Sequence, residues 1–366
     1  MAIHESHPYE RELASLIDNL CRREGNFSLF ADMNSDNLQL ILSNSENDVN
    51  PRGLENAFIL SPFDPGDLPI IMPVDFHLCG NETLEYLHSL EERKLIEDPK
   101  NQTETDKAIH EFNTKHQEIY RQAFQKFHIA LSSGKFEKLV LSRPFKLRRT
   151  RSLGKFFVEL LCHYPHSYRF LVKYRNKFFA GATPEVLLRT HKRSIEVMSL
   201  AGTMPVHQSE LRPWSDKNKK EQELVTDYIV SSLNPVSEEI YCDTPKTHYA
   251  GPVVHLLTMI HAILKPAVPL REVIDILHPT PAVCGLSKDE AFRFILENEG
   301  WKRGFYTGYL GLISKHSAQL FVNLRSAVIE GDVACCFGGG GLLKESQFED
   351  EWQETVRKIS TLKEYL

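Results

Sequence analysis

The sequence predicts a mixed α and β fold, from three observations. Apolar residues recur at helical spacing over about 9–24, 107–133 and 215–233. Short apolar runs rich in β-branched and aromatic residues alternate with segments rich in Pro, Asp, Asn and Gly, a pattern typical of strands and turns. The 366 residues are 42% hydrophobic and 25% charged, which is enough apolar surface for a large core.

In the first quarter of the chain the sequence predicts secondary structure, but we find no candidate catalytic or binding residues there. A helix over 9–24 is followed by three short strands that begin at Phe27, Leu38 and Ala57. Residues 94–106 are polar and are predicted to form an exposed loop before the long helix.

Lys138–Arg143 is predicted to be a strand because its residues are apolar or β-branched. Alternation places Lys138, Val140 and Ser142 on one side of that strand. A lysine that shares a face with valine is partly desolvated, which favours the neutral amine that a general base needs. The alternative is a lysine at the end of a strand whose ammonium extends to water.

Phe170–Tyr174 and Lys177–Ala182 are predicted to form a hairpin that leads to Glu185. Glu185 follows a proline and precedes an apolar run. A carboxyl group held in apolar surroundings has a raised pKa and can donate a proton near neutrality. The alternative is a glutamate at a helix N-terminus that faces solvent.

Ser199–Pro205 is predicted to be a tight turn in which Gly202 and Thr203 offer N–H and hydroxyl groups to a ligand oxygen. In the helix that follows, Glu221 lies on the same stripe as the apolar Val225. A carboxylate beside a buried stripe needs a partner, and a hard cation is one. The alternative is a glutamate favoured by the dipole near the start of the helix.

Two prolines fix the loop Leu277–Gly285, which presents His278 and Thr280; the alternative is a structural histidine. Further along, 318–327 is predicted to be one strand that carries Arg325 near its end. A buried arginine requires a carboxylate, which it can bind with two parallel hydrogen bonds. The alternative is a structural ion pair.

The last strand is predicted to end in a glycine turn, Gly338–Gly341, whose N–H groups are open to an anion. A helix should follow, in which Glu351, Glu354 and Lys358 share one face. Two carboxylates and an ammonium beside such a turn suit a metal-assisted site for an anionic substrate. The alternative is a solvated face with a Glu354–Lys358 pair. The opposite face, predicted to pack into the core, carries Trp352, Val356 and Ile359.

Charge and composition exclude several classes of partner. The formal net charge of −6 gives no basic surface for nucleic acid. The seven cysteines form no CxxC pair, which favours reduced thiols over disulfides or a metal site. Because we find neither a signal peptide nor an apolar run of about 20 residues, we expect a cytoplasmic protein with no membrane partner.

Seven motifs occur in the same order as in the chorismate-utilising enzymes, which this chain resembles over about 130–366. Within that family it resembles the isochorismate synthases. The motifs are Lys138–Arg143, Gly181–Glu185, Leu200–Thr203, Lys220–Val225, Leu277–Ala282, the strand with Arg325, and Gly339–Gly341 with Glu351–Lys358.

The resemblance implies an α/β (α+β) fold in which a large two-layer antiparallel β-assembly is flanked by helices. It implies a single chorismate-binding domain over 1–366, with a variable N-terminal part, 1–105, and the catalytic core motifs in 106–366. It also implies a monomer.

The resemblance implies that Glu221 and Glu354 bind Mg²⁺ and that Glu351 acts on the ion through water. Lys138 would be the general base that activates water for attack at ring C2. Glu185 would be the general acid that protonates the hydroxyl group leaving C4. The substrate-binding set would be Gly202, Thr203, His278, Thr280, Arg325, Gly339, Gly340 and Lys358.

The motifs favour water over ammonia as the nucleophile. Anthranilate synthases typically lack the lysine found at position 138, and aminodeoxychorismate synthases of the lysine-nucleophile type carry a lysine where this chain has Ala201. Salicylate synthases share Lys138 and Glu185 and add pyruvate elimination, so they are the first alternative. A non-catalytic relative that binds Mg²⁺ or an anion is the second. Menaquinone, siderophore and salicylate pathways all remain open for the product.

Overall fold

A computed structural model of the chain describes residues 8–44, 56–90, 102–206, 213–250, 253–315 and 317–366. These residues contain eight α-helices and eighteen strands. Helices α1 to α8 are Pro8–Arg22, Asn81–Ser89, Gln102–Ser132, Leu153–His163, Asp216–Leu233, Leu270–Leu277, Lys288–Asn298 and Phe348–Lys363. No helix in the described ranges is both long enough and apolar enough to cross a membrane.

The strands β1 to β18 follow one another along the whole chain. Strands β1 to β9 are Asn26–Ala31, Leu38–Ser43, Ala57–Ser61, Ile70–Pro73, Phe76–Cys79, Lys138–Arg148, Tyr168–Tyr174, Lys177–Thr183 and Val186–His191. Strands β10 to β18 are Ser194–Pro205, Ser237–Cys242, Lys246–Ala250, Val253–Leu264, Gly285–Leu286, Tyr309–Ile313, Ser317–Val322, Ser326–Glu330 and Val333–Leu342.

The strands form two antiparallel sheets of nine strands each. The first has the order β14-β6-β18-β17-β8-β7-β1-β2-β5. The second has the order β11-β13-β10-β9-β16-β15-β3-β4, and β12 also pairs with β13. Strands β1, β2 and β5 complete the first sheet and β3 and β4 complete the second, so the N-terminal strands belong to both sheets.

Helices cover the outer faces of the two sheets, and an apolar core lies between the sheets. That inner core joins side chains such as Phe30 and Phe170 of the first sheet to Leu200 and Phe321 of the second. Helices α1, α2 and α4 pack on the outside of the first sheet, and α5 and α6 pack on the second. Helices α3, α7 and α8 gather around β6. The predicted fold class, a two-layer antiparallel β-assembly flanked by helices, is therefore confirmed.

Most of the local predictions agree with the structure. The first helix is Pro8–Arg22, and the predicted hairpin closes with Tyr174 opposite Lys177. The predicted loop 94–106 is wrong at its end, because 102–106 already belongs to α3; residues 94–101 lie outside the described ranges. This segment contains Glu and Lys but neither Gly nor Pro after position 99, so the helix extends further than its polarity indicates.

Two segments near the functional site differ from the prediction. Ser199–Pro205 is not a turn but the end of β10, which is interrupted by a bulge at Ala201–Thr203. Gly202 has φ +69° at this bulge, a conformation that glycine adopts without a steric penalty. The single strand predicted over 318–327 is two strands, β16 and β17, which belong to different sheets.

Candidate active site

A cavity lies where the two sheets meet α5 and α8. Its lining residues come from ten different segments of the chain, so no short stretch of sequence defines it. Its apolar and small lining residues are Val140, Pro184, Leu200, Ala201, Gly202, Ala282, Val283, Leu324, Phe337, Gly339, Gly340 and Gly341. Its polar lining residues are Glu185, Thr203, Glu221, His255, Tyr306, Thr307, Arg325, Glu354 and Lys358.

The glycine run belongs to a strand, so the predicted glycine turn is wrong. Gly338–Gly341 continues β18 and pairs with β6 through Leu342. On the other side, β17 pairs with β18 only as far as Cys336, so among the described residues no strand pairs with that edge of the run. Half of the peptide groups in a strand point to each side, and the open edge leaves some of them available to the cavity.

The glycines allow acidic side chains to approach the strand closely. A Cβ atom on Gly340 would lie 3.1 Å from Glu351 Oε2 and 3.2 Å from Glu354 Oε1. A Cβ atom on Gly341 would lie only 2.4 Å from Glu221 Oε1. The absence of side chains at these two positions is therefore what lets three carboxylates gather at this edge.

The acidic face of α8 is mostly buried, with the Glu354 and Lys358 side chains 19% and 15% exposed, so it is not a solvated face, although the Glu354–Lys358 pair of that alternative does form. Lys358 Nζ lies 2.7 Å from Glu354 Oε1 and donates to Gly339 O at 2.8 Å. Burial opposes ionisation of Glu354, but the charge of Lys358 and its hydrogen bond outweigh it, so the pKa lies below its usual range. Burial, and then the charge of Glu354, raise the pKa of Glu351 to about 7, although Lys217 Nζ is 3.2 Å away.

The apolar face of α8 is only partly as predicted. Ile359 is buried and Trp352 packs against the core around α3. Val356 is 36% exposed, so its predicted place in the core is wrong. In that turn of the helix the fully buried residue is instead Thr355, which precedes Val356.

Lys138 is fully buried, so the alternative of a lysine that extends to water is wrong. Its Nζ lies 3.1 Å from Glu221 Oε1, and the Glu221 side chain is 13% exposed. A Cβ atom on Gly341 would lie 2.9 Å from Lys138 Cε, so the lysine passes directly beneath the glycine run. The pair joins the first residue of β6 to α5, and of the two only Glu221 is a lining residue of the cavity.

Glu185 lies in the short link between β8 and β9 and is 2% exposed, so the solvent-facing alternative is wrong. Its Oε1 atom has no hydrogen-bond partner. Burial raises the pKa of Glu185 to about 8, although the charges of Lys138, Lys358 and Arg325 offset part of the effect. The carboxyl group is therefore mainly protonated at neutral pH and faces the cavity as a proton donor.

Arg325 lies between β16 and β17, where the chain passes from one sheet to the other. Its φ of +45° is unusual for a residue with a side chain. Nη2 donates to His255 Nε2 at 3.1 Å, and Nε has no partner. In the described part of the chain no carboxylate lies within ion-pair distance of this guanidinium, so the structural ion pair considered above is not observed.

His255 is a cavity residue that sequence reasoning missed. Burial, and then the charge of Arg325, lower the pKa of His255 well below its usual range, so the ring is neutral. A neutral ring with Nδ1–H donates to Gly202 O at 3.0 Å and accepts from Arg325 through Nε2. The signal was a histidine between Val253 and Leu257 on one face of a mostly apolar strand.

Tyr306, Thr307 and Lys217 were also missed. The first two lie in the turn before β15 and line the first cavity, and Lys217 lies in α5 and lines the second. No local sequence pattern indicated Tyr306 or Thr307, because their place at the cavity depends on how this turn packs against β6 and the loop that carries Val283.

The structure places His278 and Thr280 outside the cavity lining. His278 Nε2 lies 3.3 Å from Pro62 O, and its ring packs edge-on against Tyr309 at 5.0 Å between centroids. Burial lowers its pKa to about 4. Thr280 accepts backbone hydrogen bonds from Val283 and Cys284 through its carbonyl oxygen. The proline-rich loop therefore contributes its later residues, Ala282 and Val283, to the cavity wall.

The predicted metal ligands gather but do not form a ready ligand set. Within the described ranges, no group of three His, Cys, Asp or Glu side chains is placed so that it could hold a metal ion. Each acid instead contacts a lysine: Glu221 with Lys138, Glu351 with Lys217, and Glu354 with Lys358. Glu221, Glu351 and Glu354 nevertheless all line a second cavity, which shares Glu221 and Glu354 with the first. Carboxylate oxygens are the donors that Mg²⁺ prefers, so the chemistry of the set fits this ion.

Comparisons with known proteins agree with one another. Residues 74–366 match the family model described as chorismate binding enzyme. An isochorismate synthase of Haemophilus influenzae is 31% identical over 245 residues, which are 64% of this chain and 57% of that protein. A salicylate biosynthesis isochorismate synthase of Pseudomonas aeruginosa is 33% identical over 252 residues, which are 65% of this chain and 52% of that protein.

The chain thus spans a little more than half the length of these two curated relatives. The solved structure of the menaquinone-specific isochorismate synthase of Escherichia coli superposes with a TM-score of 0.77 and 21% identity. That superposition covers 99% of this chain and 92% of the other, so the two share one fold.

Proposed function

The chain belongs to the family of chorismate-binding enzymes, and we propose that it is an isochorismate synthase. In the proposed reaction, water adds at ring C2 of chorismate, the double bonds shift, and the C4 hydroxyl group departs as water. The observation that carries the proposal is a buried carboxyl, Glu185, which lines the cavity, has a pKa raised to about 8, and lies within the field of a buried lysine, Lys138.

Arg325 supports the binding of a carboxylate substrate. Its guanidinium is buried, has a free Nε, and lacks an acidic partner in the described residues. A bidentate contact with a substrate carboxylate would supply the missing charge. His255 accepts from Nη2 and so fixes the plane of the guanidinium towards the cavity.

Glu185 is suited to the acid role because it already holds a proton at neutral pH. A proton from Glu185 lets the C4 hydroxyl group leave as water rather than as hydroxide, which lowers the barrier to its departure. The Oε1 atom has no protein partner, so it is open to a substrate oxygen. Burial keeps solvent from competing for that proton.

Lys138 is proposed as the base that takes a proton from the attacking water. Its side chain passes directly beneath Gly341, which lines the cavity, and only a glycine at that position leaves room for it. The water oxygen would attack C2 while Glu185 acts at C4, so that base and acid serve different positions of one ring.

We further propose that Mg²⁺ is held by Glu221 and Glu354, with Glu351 acting through a water molecule. The ion would supply positive charge that polarises the ring carboxylate of chorismate. Lys358 and the open edge at Gly339 and Gly340 would contact the carboxylates of the substrate. We propose that the chain acts as a single domain and as a monomer.

The test is incubation of the purified protein with chorismate and Mg²⁺ in the absence of ammonia, followed by separation of the products. The proposal predicts isochorismate without pyruvate. Salicylate with equimolar pyruvate would instead identify a salicylate synthase that uses the same residues. Binding of chorismate without turnover would identify a non-catalytic relative and refute the roles of Lys138 and Glu185.

A further inference from the structure

A second buried ion pair lies behind the cavity and takes no part in the proposed chemistry. Arg303 Nε lies 2.7 Å from Glu299 Oε2, and Arg303 Nη2 lies 2.7 Å from Glu299 Oε1. The side chains are only 2% and 1% exposed. The two parallel contacts form a bidentate pair that follows directly on α7.

The remaining donors of Arg303 reach three separate parts of the cavity wall. Nη2 donates to Val140 O at 2.8 Å, and Nη1 donates to Val283 O at 2.7 Å. Nη1 also lies 3.3 Å from Thr307 Oγ1. Val140, Val283 and Thr307 all line the cavity, and they belong to β6, the proline-rich loop and the turn before β15. One guanidinium therefore contacts three walls of the cavity, of which β6 and the proline-rich loop are also joined by the hydrogen bond from Val140 N to Cys284 O at 2.7 Å.

Glu299 holds the strand that carries the proposed base. Its Oε1 atom accepts from Ser142 N at 2.8 Å and from Ser142 Oγ at 2.7 Å. Trp301 Nε1 donates to Ser142 O at 2.9 Å. Ser142 lies on the same face of β6 as Lys138, four residues away, so Glu299 anchors the strand that carries the lysine.

Thr307 shows that this arrangement holds a conformation that the chain would not adopt alone. Its φ is +61°, which is a rare value for a β-branched residue. The hydrogen bond from Thr307 N to Asn323 O at 2.9 Å and the contact with Arg303 fix it there. Strained backbone of this kind persists only where the surrounding structure determines it.

We propose that Glu299 and Arg303 are positioning residues, which set the cavity walls against one another and hold Lys138 at the edge of the substrate site. This inference rests on the proposed function. Stability alone does not require such a pair, because burying two charges costs about as much free energy as their attraction returns. The bonds to three cavity walls are what distinguish this pair from a structural one.

Arg169 provides the matched control. It is fully buried, and it also donates to backbone carbonyl groups, those of Asp32, Pro165, Ser167 and Ser35. None of those residues lines either cavity described above. Arg303→Lys and Arg169→Lys therefore each replace a buried guanidinium with an ammonium, and only Arg303 contacts residues that line the cavity.

The experiment measures kcat and KM for chorismate on wild type, Arg303→Lys and Arg169→Lys, each checked for cooperative thermal unfolding. We expect Arg303→Lys to lower kcat/KM by about 10- to 100-fold, with a raised KM as well as a lowered kcat, because displacements of about 1 Å have effects of this size. Arg169→Lys should lower the Tm but keep kcat/KM within about twofold. Glu299→Gln keeps the shape of the side chain and should lower kcat/KM as Arg303→Lys does. If Arg303→Lys fails to fold, Glu299→Gln is measured in its place.

Equal kcat/KM for Arg303→Lys, Glu299→Gln and wild type would overturn the positioning role, as would an equal loss in Arg169→Lys. A wild-type protein that does not turn over chorismate would refute the proposed function instead. In that case calorimetric binding of chorismate decides the positioning role: weaker binding by Arg303→Lys than by Arg169→Lys supports it. Equal binding by the two variants, or no binding by wild type, overturns it.

Discussion

Replacement of Gly341 by alanine would place one methyl group against the two side chains closest to the proposed chemistry. The new Cβ would lie 2.4 Å from Glu221 Oε1, about 1.0 Å short of the 3.4 Å at which ordinary contact begins. It would also lie 2.9 Å from Lys138 Cε, about 0.5 Å short. Both atoms are near the ends of flexible side chains, so these side chains, rather than the backbone, must move.

Stability and activity should therefore respond very differently to Gly341→Ala. Alanine restricts the unfolded chain more than glycine does, which stabilises the fold by about 0.4–1 kcal/mol and offsets the cost of moving two side chains. A displacement of about 1 Å at Lys138 and Glu221 should lower kcat by about 100-fold, which is about 2.7 kcal/mol in the activation free energy. We expect an unchanged Tm and a nearly inactive enzyme.

The assay combines thermal unfolding with the rate of isochorismate formation. Gly339→Ala is the control in the same strand: its Cβ would lie 2.8 Å from Ser142 Cβ and 3.0 Å from Leu141 O, next to a partner strand that cannot rotate away. It should lower the Tm, because overpacking costs about 1–3 kcal/mol. Gly341→Ala with activity within twofold of wild type, or with the larger loss of Tm, would refute the reasoning.

Three further predictions concern single groups of the site. Glu185 is protonated in the folded protein below about pH 8 but ionises near 4.5 when unfolded, so its contribution to stability is lost as the pH rises through 8. Glu185→Gln should therefore be inactive yet have a higher Tm than wild type at pH 9; an equal or lower Tm would contradict the raised pKa. Lys138→Ala should abolish water addition while chorismate still binds in calorimetry, and substantial turnover would remove Lys138 as the base. Chelation with EDTA should stop turnover and added Mg²⁺ should restore it, whereas full activity after exhaustive chelation would refute the metal requirement.

The side chains of the site could be predicted from the sequence better than their surroundings. Nine of the thirteen predicted site residues line the cavity, because motifs such as Glu354–Lys358 keep their helical spacing in any fold. His255 was missed, since its role depends on Arg325, which is 70 residues away in sequence. Periodicity does not report such contacts between distant segments.

The glycine run shows why the local sequence predicted the wrong secondary structure. Four consecutive glycines favour a turn, because each lowers the propensity for a strand. In the folded protein Gly338–Gly341 lies opposite Leu141 and its neighbours in β6, and this pairing overrides the local preference. The need for close approach by Glu221 and Lys138 is visible only in three dimensions.

The central claim is that water adds to the ring of chorismate, and isotope transfer from solvent tests it most directly. The protein would be incubated briefly with unlabelled chorismate and Mg²⁺ in ¹⁸O-enriched water, and the isochorismate formed would be examined by mass spectrometry. Addition of water at C2 with loss of the C4 hydroxyl group predicts one ¹⁸O atom per molecule, located at C2. Isochorismate that carries no ¹⁸O at early times would contradict water addition, and with it the roles proposed for Lys138 and Glu185.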